Sequence, residues 1–209
     1  MPSRPPDADA PGPERRSLAG LMIDDAAATL SAMARKTTPP EFYAVWSTAW
    51  GPIGAVTGGD GLQRLLLPHY QMDQAADLLA WEHAGAVRAT EPFAEIIELT
   101  RAYFNGQAPD FAGVICDLPG EGTFHGKVFR ACRLVGHGQT SSYGHLARDI
   151  ARPDAARAVA TALGKNPLPL VVPCHRILYA DGRLGGFSAP GGTDLKRRML
   201  ALESSAPTR

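Results

Sequence analysis

The feature that most constrains this chain is a proline that ends an apolar run and precedes a cysteine and a histidine, in "LPLVVPCHRIL" over residues 168–178. Pro173 fixes its own φ and restricts Val172 to an extended conformation, which predicts that "VVP" runs in as a buried strand. Neighbouring side chains of an extended segment point to opposite sides. Cys174 and His175 can therefore cooperate only through a turn or an intervening water molecule.

The cysteine and histidine alone leave several interpretations open. A free cysteine is most often a small buried hydrophobic residue, and a nucleophile with an adjacent base is the alternative. A zinc site is not expected, because the chain has no CxxC pair. Cys116, Cys132 and Cys174 are odd in number and widely separated, which argues against a disulfide framework and fits a reducing cytoplasm. Neither a secretory signal nor an apolar run of about 20 residues is present in the sequence, so we expect a cytoplasmic protein without a membrane span.

Composition and periodicity divide the first part of the chain into a tail and a mixed domain. Residues 1–39 are rich in Pro, Ala, Asp and Arg and are predicted to be a disordered tail, in which "LMIDDAAATLSAMARK" could form one helix. Residues 40–118 are predicted to form an α/β domain. Its expected elements are an antiparallel meander over 42–68, helices over 71–84 and 91–106, and a further strand in "FAGVICDLP", residues 111–119.

Residues 119–205 are predicted to be a second, mainly helical domain. Thr123 is placed to cap its first helix. "SSYGHLARDIA" and "DAARAVATALG" are two short helical patterns joined by "RP", with Asp154 as N-cap and Gly164 as stop signal of the second. Two such helices in a basic segment indicate a helix-turn-helix, although any αα-hairpin has the same pattern.

Charge is distributed unevenly along the chain although its net value is zero. Residues 1–120 hold 8 Lys and Arg against 15 Asp and Glu, a balance of −7, and residues 121–209 hold 13 against 6, a balance of +7. A basic half is typical of a protein that meets a polyanion. Two independently soluble surfaces would explain the same numbers.

The motifs "SYGHLA", "PDAARAV", "NPLPLVVPCHR", "DGRLGGFS" and "KRRMLALE" follow one another over residues 123–203. In this order and spacing they resemble the methylated-DNA–protein-cysteine S-methyltransferases, the alkylguanine-DNA alkyltransferases. Residues 42–118 resemble that family's N-terminal domain more weakly, through "GPIGAV" and "YFNG". The resemblance implies an α/β (α+β) fold. An RNase H-like N-terminal domain with an antiparallel sheet precedes a winged-helix-like helix-turn-helix domain that carries the active-site cysteine.

The resemblance also implies a reaction and the residues that perform it. In this family a cysteine thiolate takes an alkyl group from oxygen-6 of guanine in DNA, in a stoichiometric suicide reaction. An alkyl group on oxygen-4 of thymine is expected to be a second target. Cys174 matches the nucleophile, and His175 matches the base that removes its proton through a water molecule. Glu203 matches the carboxylate that orients this imidazole, Asn166 the brace of the active-site turn, and Tyr143 the phenol that stabilises the leaving guanine.

Further positions match the family's contacts to DNA and to the base. Arg157 corresponds to the arginine that fills the gap left by the flipped guanine, and Ala156 to a small residue that lets the helix lie in the minor groove. Ser188 corresponds to a donor to oxygen-6, Pro169 to a wall of the alkyl pocket, and Ile177 to a backbone acceptor for the exocyclic amine. The implied partner is double-stranded DNA that contains alkylated guanine; a bacterial monomer that needs no cofactor is expected.

The sequence departs from the family pattern at three places. Phe129 stands where Trp is frequent, Phe187 replaces a frequent Tyr beside the guanine pocket, and "SAPGGTDLK" lengthens the loop after Ser188. Arg176 is expected to form a structural salt bridge. Three other functions remain alternatives: a lesion-binding protein that flips alkylguanine without repairing it, a transcription regulator with Cys174 as a sensor, and a cysteine hydrolase.

Overall fold

A computed structural model describes residues 39–205 of the chain, so the predicted tail and its helix lie outside the described residues. Four strands form one sheet in the order β3-β2-β1-β4, with β1 at Phe42–Thr48, β2 at Gly51–Gly58, β3 at Gly61–Leu66 and β4 at Val87–Arg88. Strands β1, β2 and β3 pair antiparallel, and β4 pairs parallel to β1. The predicted antiparallel meander is confirmed.

Gly61 explains why the turn between β2 and β3 is glycine-rich. Its φ is +113°, and a Cβ there would lie 2.6 Å from the carbonyl oxygen of Ile115. The backbone comes this close because the chain at Ile115 pairs with β3, where the Leu62 amide donates to the Ile115 carbonyl at 2.9 Å. Glycine has the conformational freedom and the small size that this position needs.

Helices cover both faces of the sheet. Helix α1, Met72–Glu82, packs with Ala75 and Leu79 against Val56 and Leu66. The alternate strand residues, such as Leu65, point to the opposite face and join the larger core. Helix α2, Ala94–Phe104, follows a 3₁₀ turn at Glu91–Phe93. Its buried side chains are Ile96, Ile97, Thr100, Tyr103 and Phe104. Both helices predicted in this region are present, within narrower bounds.

The strand predicted over residues 111–119 is wrong. This segment contributes one isolated bridge, between Cys116 and Leu62. Its beginning folds into a turn, because the Asp110 carboxylate accepts from the Ala112 amide at 2.8 Å and the Val114 amide donates to the Phe111 carbonyl at 3.2 Å. The local side-chain hydrogen bond of an aspartate competes with an extended ladder, and here it prevails.

The second half is mainly helical, as predicted. Helices α3 (Phe124–Arg133), α4 (Tyr143–Asp149), α5 (Ala156–Leu163) and α6 (Gly192–Ser205) make up most of its regular secondary structure. Thr123 caps α3 as expected, since its hydroxyl accepts from the Gly126 amide at 3.0 Å. Asp154 is not the cap of α5: the helix begins one residue later than predicted, after Ala155, with no side-chain cap. Gly164 ends α5 as expected.

A short parallel pair links the helical hairpin to the cysteine turn. Strands β5, Ser141–Ser142, and β6, Ile177–Leu178, pair next to the start of α4 and directly after a 3₁₀ turn at Cys174–Arg176. Buried side chains of the sheet region and of the helical region form one continuous core. The expected order, a mixed α/β sheet region followed by a mainly helical region, is confirmed. Among residues 39–205, no helix is long and apolar enough to cross a membrane.

Candidate active site

Cys174 sits at the end of a buried turn rather than a buried strand, so the strand predicted for "VVP" is wrong. The chain folds back on itself at Leu170, whose φ is +78°, and the Val172 amide donates to the Leu168 carbonyl at 2.8 Å. Residues 168–177 are all buried nonetheless. The prolines of this segment restrict the backbone, and the 3₁₀ turn at Cys174–Arg176 supplies the turn that cooperation between Cys174 and His175 needs.

Asn166 connects three points of this turn with one amide side chain. Its Nδ2 donates to the Val172 carbonyl at 2.8 Å and to the Cys174 sulfur at 3.2 Å. Its Oδ1 accepts from the Leu168 amide at 3.0 Å. The amide thereby fixes the backbone of the turn and also contacts the thiol that the turn carries.

His175 and Glu203 form a fully buried pair. His175 Nε2 lies 2.7 Å from Glu203 Oε1. An ionised carboxylate can only accept, so the imidazole carries its proton on Nε2 and leaves Nδ1 as a free acceptor. Nδ1 is buried and has no hydrogen-bond partner among the described protein atoms. Burial lowers the pKa of His175 and outweighs the opposing effect of Glu203. Burial therefore favours the neutral imidazole.

Glu203 is the centre of a larger network. Arg176 donates to it through Nε, at 2.9 Å from Oε2, and through Nη2, at 3.0 Å from Oε1. The Gly138 amide donates to Oε2 at 3.0 Å. Burial opposes ionisation, but the hydrogen bonds and charges of His175 and Arg176 prevail and hold the pKa of Glu203 far below its usual range. Arg176 thus lies in the salt bridge expected of it.

Tyr103 was not singled out in the sequence as a site residue. Its hydroxyl donates to Glu203 Oε1 at 2.8 Å from helix α2, 100 positions earlier in the chain. Burial, and then the charge of Glu203, raise the pKa of this phenol, so it stays protonated. In "RAYFNG" it occupies an apolar position of an amphipathic helix, and that pattern does not distinguish it from a core aromatic residue.

Lys196 is the second residue that sequence analysis missed. It is fully buried on α6, and its Nζ donates to the Ile177 carbonyl at 2.6 Å. Burial lowers its pKa, and its positive charge lowers that of the Cys174 thiol, as the Asn166 hydrogen bond also does. Burial is the larger effect and leaves the pKa of Cys174 raised. One signal could have found Lys196: it precedes Glu203 by seven residues and therefore shares its helix face.

Cys174 borders an open cavity of about 450 Å³. Tyr143, Phe187 and Ser188 line it, together with Tyr179, whose ring centroid lies 5.5 Å from that of Tyr143. Burial raises the pKa of Tyr143 to about 12, which keeps this phenol a donor at neutral pH. The cavity has the size and the mixed apolar and polar lining of a small-molecule site.

A second, smaller cavity of about 80 Å³ is also lined by Cys174. Pro169 and Asn166 line it, with Phe187 and Ser188 as walls that both cavities share. Residues Arg64–Leu67 of the sheet region complete it. Five of the ten predicted site residues, Tyr143, Asn166, Pro169, Cys174 and Ser188, therefore line one or both cavities.

Arg157 and Ala156 lie apart from these cavities, in the first turn of α5. Arg157 is exposed, while Ala160 and Thr161 of the same helix line the larger cavity. The exposed charged side chains of the α4–α5 region are basic at Arg148, Arg152, Arg157 and Lys165 and acidic at Asp149 and Asp154, so the surface carries an excess of positive charge. A basic surface beside a concave site is typical of nucleic-acid binding. Ile177 is buried, and its carbonyl already accepts from Lys196.

Comparisons with known proteins show which proteins this chain is similar to. Residues 123–205 match the family described as 6-O-methylguanine DNA methyltransferase, DNA binding domain. A methylated-DNA–protein-cysteine methyltransferase of Mycolicibacterium paratuberculosis is 38% identical over 158 residues, 76% of this chain and 91% of the relative. A crystal structure of Mycobacterium tuberculosis OGT in complex with DNA has a TM-score of 0.65 and 33% identity, and covers 80% of this chain and 96% of that one. A DNA base-flipping protein of Thermus thermophilus is 42% identical over 108 residues, 52% of this chain and 71% of the relative.

Proposed function

This chain belongs to the 6-O-methylguanine DNA methyltransferase family, and we propose that Cys174 is the residue to which it transfers the alkyl group of a damaged guanine. It is a methylated-DNA–protein-cysteine methyltransferase and binds DNA. The observation that carries the assignment of Cys174 is the buried turn itself. The turn places the thiol at the junction of two cavities and directly before an imidazole whose Nδ1 is an unpartnered acceptor.

Activation of the thiol is the first step of the mechanism. The Cys174 proton passes through a water molecule to His175 Nδ1, and the resulting imidazolium is stabilised by Glu203 at 2.7 Å. The thiolate is stabilised by the Asn166 Nδ2 donor at 3.2 Å and by the charge of Lys196. Because the thiolate is the nucleophilic form, these two contacts favour the reactive state of the sulfur.

Transfer is a single displacement. The sulfur lone pair of Cys174 forms a bond to the alkyl carbon, and the bond from that carbon to oxygen-6 breaks with its electron pair remaining on guanine. Tyr143 supplies the proton that neutralises the developing charge on the base, and the phenol regains a proton from solvent. The product is a thioether, which cannot return to a thiol within this site, so each molecule acts once.

The larger cavity is the proposed site of the guanine. A base within a duplex cannot reach Cys174, so the nucleotide must be flipped out of the stack. Ser188 donates to oxygen-6, and the backbone carbonyls of Cys174 and Ile177 accept from the exocyclic amine. The Ile177 carbonyl would use its second lone pair, since the first accepts from Lys196. Pro169 bounds the smaller cavity, which we assign to the alkyl group.

DNA is proposed to meet the basic surface of α4 and α5. Ala156 allows a close approach of α5 to the minor groove, and the exposed Arg157 enters the stack in place of the flipped base. Minor-groove binding carries little sequence information, which suits repair in any sequence context. We propose that one copy of the chain acts alone, and that oxygen-4 of alkylated thymine is a further substrate.

Intact mass after incubation with a duplex that contains O6-methylguanine tests this function. A gain of one methyl group, about 14 Da, on the Cys174 peptide and saturating at one per molecule is expected. Cys174→Ala should bind the same duplex without any gain, and a gain in that variant would refute the assignment. Tight binding by the wild type without a mass change would instead indicate a protein that flips the base without repairing it; the Thermus thermophilus relative is named a DNA base-flipping protein.

A further inference from the structure

We infer that Tyr103 is a positioning residue for the alkyl transfer: from helix α2 of the sheet region, its hydroxyl holds the Glu203 carboxylate in the orientation that fixes His175. The inference rests on the proposed function, because it assigns a role in the activation of Cys174. It adds a residue from outside residues 123–203, and Tyr103 is the first residue of the "YFNG" through which the N-terminal part resembles the family. It also links the sheet region, through Glu203 and His175, to the proposed activation of Cys174.

The contact itself is short and completely shielded from solvent. Tyr103 Oη lies 2.8 Å from Glu203 Oε1 and 3.5 Å from His175 Nε2, and the exposed fraction of Tyr103 is 0%. Edge contacts with Phe104 and Phe111, at centroid distances of 5.0 and 6.3 Å, hold the ring. A rigid ring on a packed helix delivers the hydroxyl to one place, which is what a positioning group requires.

The two oxygens of Glu203 share Arg176, whose Nε lies 3.2 Å from Oε1 and 2.9 Å from Oε2, but they differ in their other partners, and this difference defines the role of Tyr103. Oε2 accepts from the Gly138 amide and from Arg176 Nε. Oε1 faces the imidazole and accepts from His175, from Arg176 Nη2 and from Tyr103. The phenol therefore competes with the imidazole for the same oxygen. By withdrawing charge from Oε1 it limits how strongly the carboxylate stabilises an imidazolium.

Other charged and titratable groups face the pair from the remaining elements. Arg176 in the 3₁₀ turn and Lys196 on α6 both act to lower the pKa of His175. His137, in the segment before β5, lies with its ring 6.1 Å from that of Tyr103. None of these groups is altered by removing a single hydroxyl from Tyr103. A change in the titration of His175 on that removal therefore reports the Tyr103 hydrogen bond.

Tyr103→Phe in the full chain is the test, because it deletes the hydroxyl and keeps the packed ring. Without the phenol, Oε1 concentrates its charge on the imidazole, which favours the protonated form and raises the pKa of His175. In the pH profile of the transfer rate, the midpoint of the acid limb should move up by about one pH unit. At a pH below the midpoints of both proteins, the variant should therefore transfer the alkyl group roughly tenfold more slowly than the wild type. The pH titration of the His175 ring by NMR should move by the same amount.

Thr100→Val is the matched control. Thr100 lies one helical turn earlier on α2, is fully buried, and accepts from Trp46 Nε1 at 3.0 Å. This variant also removes a buried hydroxyl from the same helix, without contact to Glu203 in the described structure. We expect its acid limb and its His175 titration to match those of the wild type.

The outcomes separate this inference from the proposed function. A His175 titration and acid limb in Tyr103→Phe that superimpose on the wild type would overturn the inference while leaving the transfer intact. Equal shifts in Thr100→Val would also overturn it, since they would indicate a general effect of a weakened helix. If the wild type transfers no alkyl group, the proposed function fails, and the NMR titration still decides whether Tyr103 tunes His175.

Discussion

Glu203 and Arg176 form a buried ion pair whose energetics can be tested by removing each partner alone and both together. The variants are Glu203→Gln, Arg176→Met and the double variant. Glu203 is 3% exposed and Arg176 is 6% exposed, so neither can find water in place of its partner without local unfolding. The Arg176 Nη1 donor to the Val135 carbonyl, at 2.7 Å, remains in Glu203→Gln and keeps the guanidinium in place.

The magnitude follows from what each single variant leaves behind. Glu203→Gln leaves the Arg176 charge buried and turns an amide NH₂ towards groups that are themselves donors, and Arg176→Met leaves the carboxylate without its cation. Removing one partner of a buried pair costs about 3–5 kcal/mol. The double variant removes both charges, so its loss should be smaller than the sum of the single losses by about 2–3 kcal/mol.

Lowering the pH should reduce the difference in unfolding free energy between the wild type and Glu203→Gln. The pKa of Glu203 is depressed in the folded protein. Its contribution to stability is therefore present above the unfolded value, about 4.3, and is lost as the pH falls towards the folded value. Glutamine does not titrate, so only the wild type loses this contribution.

Equilibrium urea unfolding at pH 7 and pH 3 measures both effects, with the m-values compared to exclude a change in the unfolded state. If the single losses add up to the loss in the double variant within about 0.5 kcal/mol, the coupling is refuted. If the difference in unfolding free energy between the wild type and Glu203→Gln is as large at pH 3 as at pH 7, the assignment of the depressed pKa is refuted.

Two further variants test the proposed roles of Arg157 and Asn166. Arg157→Ala should slow transfer from a methylated duplex far more than transfer from free O6-methylguanine, and it should change the free energy of unfolding by no more than about 0.5 kcal/mol. Arg88→Ala, on edge strand β4, removes the same charge and is the control. If Arg157→Ala slows transfer from both substrates equally, its role in the stack is contradicted. Asn166→Ala should raise the pKa of Cys174, measured as the pH dependence of iodoacetamide alkylation, and destabilise the fold by about 1–3 kcal/mol because buried backbone groups lose their partners. An unchanged alkylation profile would show that the contact of Asn166 with the sulfur has no effect on the thiol.

Elements with a local signal could be predicted from the sequence. Strand alternation and glycine turns define the meander, and the Thr123 cap is a contact between residues three apart. The strand predicted after Asp110 was wrong because the apolar composition of this segment suits a strand, whereas the aspartate side chain stabilises a turn. The strand predicted before Cys174 was wrong for a similar reason. The restriction by Pro173 is compatible with extended backbone, but the chain folds back at Leu170, and this turn depends on the bridge that Asn166 forms.

The contacts of the site span distances in the chain that periodicity does not reach. Glu203 and His175 are 28 positions apart, and Glu203 and Tyr103 are 100 apart. The resemblance to a family indicated the first contact because both residues lie in motifs. The second contact was not predicted: Tyr103 lies in "YFNG", but the resemblance there is weak and implied no role for it, and any large apolar side chain at that position would satisfy the helix pattern.

The positive charge of Lys196 acts on both Cys174 and His175 and lowers the pKa of each. Arg176 balances the charge of Glu203, and burial is the main reason that the pKa of His175 is low. Lys196 donates to a carbonyl and pairs with no carboxylate among residues 39–205, so its charge acts on Cys174 and on the buried Cys132 nearby. A thiolate at Cys174 is the anion that this ammonium lacks. Lys196 thus favours a thiolate at Cys174, whereas the same charge disfavours an imidazolium at His175, where Glu203 opposes it.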